Sequence, residues 1–285
     1  KAAKAAIDRY GTSASASRLV SGERPVQQEL EAELANIYGV DAAITFVSGH
    51  ATNVTTLGYL FGPKDLILHD SLIHNSALEG IRLSGAARRS FEPNNLEALE
   101  TLLKEQRHKF ERVLIITEGL YSMDGDTPNL PKLASLKQQY KALLMVDEAH
   151  ALGVLGQTGK GSHEHHGIAG ADVDIWMGTL SKTLASCGCY IAGNQVLIDL
   201  LKYGAPGFVY SVGLSPVLAA SSLAAIKLLN EGPNRVQRLK DRSQAFITAC
   251  QTAGLDTGLS EGYAVVPAIV GSSTKATKIS NKLFE

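Results

Sequence analysis

Lys182 stands in Gly178-Thr179-Leu180-Ser181-Lys182-Thr183, among small and hydroxyl-bearing residues. A lysine amine has an ordinary pKa of about 10.4 and is mostly protonated at neutral pH. Burial or a nearby cation lowers that value and frees a nucleophile able to form an imine with an aldehyde. Upstream, Asp147 closes the apolar run Leu143-Leu144-Met145-Val146 and opens Asp147-Glu148-Ala149-His150. A carboxylate emerging from the carboxyl end of a buried strand can hold a positive ring nitrogen. The two segments point to pyridoxal phosphate, whose ring takes up electrons only while a fixed carboxylate keeps its nitrogen protonated.

Other residues fit the same group. Ser48-Gly49-His50-Ala51-Thr52-Asn53 joins a strand to a helix, and Gly49 lets backbone N–H groups approach an anion at the helix N-terminus. By itself the segment reads more readily as a tight turn; beside Lys182 it reads as a phosphate cradle, to which Thr179 adds a hydroxyl. His74 lies in a polar loop beyond Leu66-Ile67-Leu68, where an imidazole can stack on a pyridine ring and orient a substrate carboxylate. Ser122, in the loop Glu118 to Asp126, can hydrogen-bond a phenolic oxygen, and His150 can share the site three residues beyond Asp147.

Rival readings are weaker. Asp124 and Asp126 lack the other ligand positions of a calcium loop. Asp-Glu-Ala-His is also the wording of a helicase box, but the phosphate-binding loop that box requires does not occur. His163-Glu164-His165-His166 is expected to be a solvated surface turn, with no metal site. Cys187 and Cys189 are too close for a disulfide framework and are expected to pack as small side chains; with Cys250 they read as reduced thiols.

The elements that must position these residues follow from periodicity. Residues 1–40 read as a helical arm, with a stripe at Glu29, Leu30, Leu34 and Ile37. Residues 41–213 alternate apolar runs (43–47, 113–117, 143–146, 190–192) with helical patterns, which predicts a large α/β domain of parallel strands and crossover helices. Residues 214–285 read as the start of a small α+β domain: helices near 217–230 and 233–253, a strand at 264–270 and a helix from Ser273, too little to bury a sheet face. The 285 residues are 45% hydrophobic with a net charge of -1, which supplies a sizeable core and no basic footprint for nucleic acid. No apolar run nears the roughly 20 residues of a membrane span, and the first residues lack a signal-peptide core. A soluble, cytoplasmic protein is expected.

From about Tyr10 onward the sequence resembles the α-oxoamine synthases, pyridoxal-phosphate enzymes of the aspartate aminotransferase-like fold (fold type I). The likeness rests on Arg18-Leu19-Val20-Ser21-Gly22, Ser48 to Asn53, Thr117-Glu118-Gly119, Ser122-Met123-Asp124-Gly125, Asp147 to His150 and Gly178 to Lys182, in that order. The resemblance implies that Lys182 carries the cofactor as a Schiff base and that Asp147 pairs with the ring nitrogen while His74 stacks on the ring. Ser122 and His150 would contact the phenolic side, and Gly49, His50 and Thr179 would hold the phosphate. It also implies a homodimer with shared active sites, Ser211 reaching the partner's phosphate, and decarboxylative condensation of a small amino acid with an acyl thioester on coenzyme A or a carrier protein.

Three departures stand out. Gln27 occupies a position where the family often has histidine, Cys189 replaces a usual glycine, and the family's carboxylate-binding arginine has no counterpart before Glu285. The small domain is therefore expected to be incomplete. The apolar flanks of Gly207 to Gly213 lean toward a serine palmitoyltransferase-like member. 8-Amino-7-oxononanoate synthase and glycine C-acetyltransferase are the alternatives within the family, and an aminotransferase or a non-catalytic partner subunit those outside it.

Overall fold

Apolar runs become strands in this chain where helices cover them on both sides. The computed structural model describes residues 1–285 and every side chain but that of residue 233. It opens with α1 (Ala2–Tyr10), one turn of π-helix at Arg18–Gly22, and α2 (Pro25–Tyr38). Then follow β1 (Ala42–Phe46), α3 (Gly49–Leu60), β2 (Leu66–Asp70), α4 (Asn75–Ser84), β3 (Ala87–Phe91) and α5 (Leu96–Gln106). The alternation continues through β4 (Val113–Glu118), α6 (Leu130–Tyr140), β5 (Leu143–Asp147), the short α7 (Ser162–His166), β6 (Ile175–Thr179) and β7 (Cys189–Gly193). Helices α8 (Gln195–Gly204), α9 (Pro206–Val209), α10 (Pro216–Glu231), α11 (Pro233–Thr252) and α12 (Ser273–Phe284) end it.

The strands form one sheet in the order β1-β7-β6-β5-β4-β2-β3. Strands β3, β2, β4, β5 and β6 pair in parallel, but β7 is antiparallel to both β6 and β1. The expectation of a parallel strand at 190–192 is thereby corrected, and the reason is connection length. A parallel neighbour needs a crossover of about a dozen residues or more, whereas only residues 180–188 separate β6 from β7.

Two apolar clusters sandwich the sheet. On β4, Val113 and Ile115 belong to one cluster, with Leu30, Leu99, Leu133 and Ile226, while Leu114 and Ile116 belong to the other, with Leu57, Ile81 and Ile198. Successive side chains point to opposite faces, so a strand buried on both reads as an unbroken apolar run. β3 escaped that reading because Arg88, Arg89 and Ser90 are exposed on the sheet edge, where charge discourages further pairing.

Two expectations fail. Residues 1–40 are not a free arm: Leu30 and Leu34 are completely buried in the first cluster, and α2 packs on β1 and α10. Leu34→Ala is accordingly expected to cost about 2–5 kcal/mol, read as a lower urea midpoint with an unchanged slope. Residues 264–270 form no strand. No sheet edge lies alongside to pair with them, and Val265 and Tyr263 instead pack on the cluster of Leu120, Ala151, Val154 and Leu155. The helix from Ser273 is present, with no residue buried.

Candidate active site

Because β7 is reversed, β1 runs in the same sense as β6, and β1, β2, β4, β5 and β6 all deliver their carboxyl ends to one edge. Ligands of open α/β sheets bind there. Ser48 follows β1 and caps α3, its Oγ accepting from the Ala51 N–H at 3.5 Å. The first N–H groups of such a helix lack internal partners and favour anions. A Cβ added at Gly49 would meet only Cys189 Sγ, at an ordinary 3.4 Å, so the protein's own packing does not demand the glycine.

His74 follows β2, and its backbone N–H donates to Glu118 Oε1 at 2.7 Å. Glu118 ends β4 in register with Asp147 at the end of β5. Thr179 ends β6, and Lys182 rides the connection to β7, which is folded on itself by the Ala185 N–H to Lys182 O (3.0 Å) and the Ser186 N–H to Leu180 O (2.9 Å).

These ends surround a cleft of about 160 Å³ bordered by Gly49, His50, His74, Asp147, His150, Thr179 and Lys182. Lys182 Nζ lies 2.8 Å from His150 Nε2. Burial, then the charge of Lys182, push the His150 imidazole down to about 4; the ring is neutral at pH 7 and accepts from the lysine. Asn53, Ser76, Glu118 and Cys189 also border the cleft but were not expected to. Asn53 and Glu118 stood inside recognised motifs, and Ser76 lies two residues beyond His74; nothing in sequence alone distinguished a buried polar residue there from a solvated one. Burial pushes the Cys189 thiol up to about 12, so it stays protonated.

Asp147 is buried, and burial raises its carboxyl above the usual range. Its donors are the Ala149 N–H at 3.0 Å and Asn53 Nδ2 at 3.4 Å, and among the described residues it forms no salt bridge. Asn53 Oδ1 is buried without a partner. A buried carboxylate on the wall of a cleft, short of a cation, fits a ligand that brings a protonated ring nitrogen.

Its neighbour Glu148 is fully buried and accepts from the backbone N–H of Ser162 at 3.0 Å and from its hydroxyl. Burial raises Glu148 to about 7 from 4.5. Between those two values the folded chain binds a proton that the unfolded chain has lost, so the group's contribution is complete below pH 4.5 and fades as pH climbs through 7. Glu148→Gln is expected to flatten that fall, by an amount of order 3 kcal/mol, in melting temperatures followed from pH 4 to 8.

Not every expected residue joins the cleft. Ser122 is half-buried on the turn after β4 and does not border it. Ser211 lies beside Arg18 and Gly207 instead, its hydroxyl donating to Val212 O at 3.3 Å. The 163–166 segment is not a solvated turn. It is the helix α7, with all four side chains half-buried and His163 against Tyr38 and Trp176; aromatic partners from distant elements cover what composition presents as surface. Cys187 is exposed rather than packed. Gln27 is buried and stitches the start of α2 to the Leu214 carbonyl at 2.5 Å.

Fold and site together define a pyridoxal-phosphate enzyme of fold type I. The chain belongs to the aminotransferase class I and II family, matched over residues 1–285, and within it to the α-oxoamine synthases, pyridoxal-phosphate-dependent C-acyltransferases. It is 43% identical over 287 aligned residues to an 8-amino-7-oxononanoate synthase of Geobacter sulfurreducens, covering 100% of this chain and 73% of that one. Serine palmitoyltransferase of Sphingomonas wittichii superposes with a TM-score of 0.91 at 28% identity, covering 96% and 69%. 8-Amino-7-oxononanoate synthase of Francisella tularensis gives 0.85 at 26%, covering 99% and 79%. The cofactor is pyridoxal phosphate, with which related serine palmitoyltransferases were solved. Among the described residues no helix is long and apolar enough to cross a membrane.

Proposed function

We propose that this enzyme condenses alanine with a pimeloyl thioester, with loss of carbon dioxide, as an 8-amino-7-oxononanoate synthase. The observation that carries this choice is the identity across the whole chain to synthases of that name, 43% and 41% to two of them. It favours the alternative over the serine palmitoyltransferase-like reading of the apolar 207–213 segment.

The bound cofactor supplies an electrophilic aldehyde and a cationic ring that takes up the electron pair released at Cα. Lys182 would hold that aldehyde covalently and would take the Cα proton of the amino acid. His150, neutral and 2.8 Å from Nζ, accepts a hydrogen bond from the amine and keeps it over the cleft. Asp147 would pair with the ring nitrogen, and His74 would cover the ring. Gly49 and His50 in the first turn of α3, with the Thr179 hydroxyl, would hold the phosphate, and His150 would address the phenolic side. The gathering of Lys182, Asp147, His74 and His150 around one cleft supports these roles.

The same reading includes a cytoplasmic homodimer with active sites at its interface, Ser211 reaching the partner's phosphate. It also includes coenzyme A or a carrier protein as acyl donor, and a second domain beginning near residue 214. Thiol release should be at least about tenfold faster with L-alanine and pimeloyl-CoA than with L-serine and palmitoyl-CoA, and mass spectrometry should find the alanine-derived amino ketone. The reverse preference would move the assignment to serine palmitoyltransferase.

A further inference from the structure

Two hydrogen bonds reach Nδ1 of His74, and their directions can be read. The backbone N–H of Ser76 approaches it at 3.2 Å. A backbone amide only donates, so Nδ1 is the accepting nitrogen and the neutral ring carries its proton at Nε2. Ser76 Oγ lies 2.7 Å from the same atom. With Nδ1 bare, that hydroxyl must donate as well, leaving its lone pairs for Asn53 Nδ2 at 3.0 Å. The same amide nitrogen is 3.4 Å from Asp147 Oδ2. Turning the amide over would set its oxygen against the carboxylate, so Asp147 fixes the sense of the whole chain. Asn53 and Ser76 are 0% and 1% exposed, and water does not compete for these bonds.

We infer that Asn53 and Ser76 are positioning residues that hold His74 in the tautomer protonated at Nε2. The ring then offers the cleft a donor and not a base at that nitrogen. Asp147 is joined to it through two intervening side chains, so the carboxylate proposed to serve the ring nitrogen also orients the group proposed to lie over the ring. The consequence for catalysis rests on the function proposed above: a donor over the cofactor ring faces a carbonyl or carboxylate oxygen of the bound amino acid or thioester, where negative charge builds up.

The test is nitrogen-15 spectroscopy of histidine-labelled protein, loaded with pyridoxal phosphate and unloaded, with the His74 signals assigned by their loss in His74→Gln. The wild type is expected to show a bare Nδ1 and a protonated Nε2 in both forms. Ser76→Ala removes one donor, and Asn53→Asp supplies an oxygen that draws the Ser76 hydroxyl proton away; both should bring in the ring protonated at Nδ1. Ser76→Thr, which keeps the hydroxyl, should retain the wild-type pattern. With the preferred substrates, Ser76→Ala should lower kcat about tenfold with little change in KM, and Ser76→Thr should restore it. A wild-type ring protonated at Nδ1, or an unaltered tautomer in both Ser76→Ala and Asn53→Asp, would overturn the inference. The ring nitrogens are observed without turnover, so failure of the substrate assignment leaves this result standing, and the reverse also holds.

Discussion

Lys182→Ala is expected to lower kcat by about 10⁴-fold, because one side chain is proposed to be both covalent anchor and proton acceptor. The drop should be seen in thiol release with pimeloyl-CoA and alanine. A second readout is independent of turnover: borohydride reduction of the loaded wild type should leave the cofactor attached to the peptide bearing Lys182, and the variant should retain none. The neighbouring imidazole cannot substitute. His150 Nε2 lies 2.8 Å from the lysine nitrogen, but burial, which the variant keeps, is the first cause that holds its ring below the ordinary histidine range, and it forms no stable imine. Undiminished turnover in Lys182→Ala would remove the lysine from the mechanism.

Asp147→Asn should act in opposite directions on the loaded and unloaded protein. Loaded, it takes away the carboxylate proposed to face a buried cationic nitrogen. Breaking such a pair costs about 3–5 kcal/mol, or roughly 10²–10⁴-fold in cofactor affinity, measurable by fluorescence titration. Unloaded, the wild type carries a buried carboxyl whose folded value is raised above its unfolded one by burial. Its contribution is therefore present below the unfolded value and lost as pH rises above the ordinary carboxylate range. At pH 8 the unloaded variant should melt above the unloaded wild type, and at pH 4 the two should converge. A variant that binds pyridoxal phosphate as tightly as the wild type would separate Asp147 from the cofactor.

What could be read from sequence was whatever announces itself locally. Lys182 and Asp147 sit in short segments whose residue types have few other uses, and β4 and β5 appear as apolar runs because helices bury both faces of the sheet. What could not be read depends on partners far along the chain. The stripe at Leu30 and Leu34 was visible, but the α10 face that covers it lies near residue 220, so a core helix passed for an arm. Residues 264–270 have the composition of a strand, yet a strand exists only where another edge accepts its hydrogen bonds. β3 has the edge and lacks the composition. Asn53 and Ser76 look like ordinary polar residues until β2, β5 and α3 converge around them, and the 163–166 histidines look like surface until Tyr38 and Trp176 are laid over one of them.

The reversal of β7 also settles how the lysine is tethered. Residue 179 leaves the sheet and residue 189 re-enters it as paired neighbours, since Thr179 and Cys189 are in register. The loop between them thus has both feet planted side by side on a rigid floor, with internal bonds across its span. If Lys182 anchors the cofactor as proposed, the amine freed by substrate would swing on its four-carbon stem from a loop held at both feet. Recapture after each turnover needs no folding of a lid and no search by a mobile segment, so lysine return should not be the step that limits the cycle.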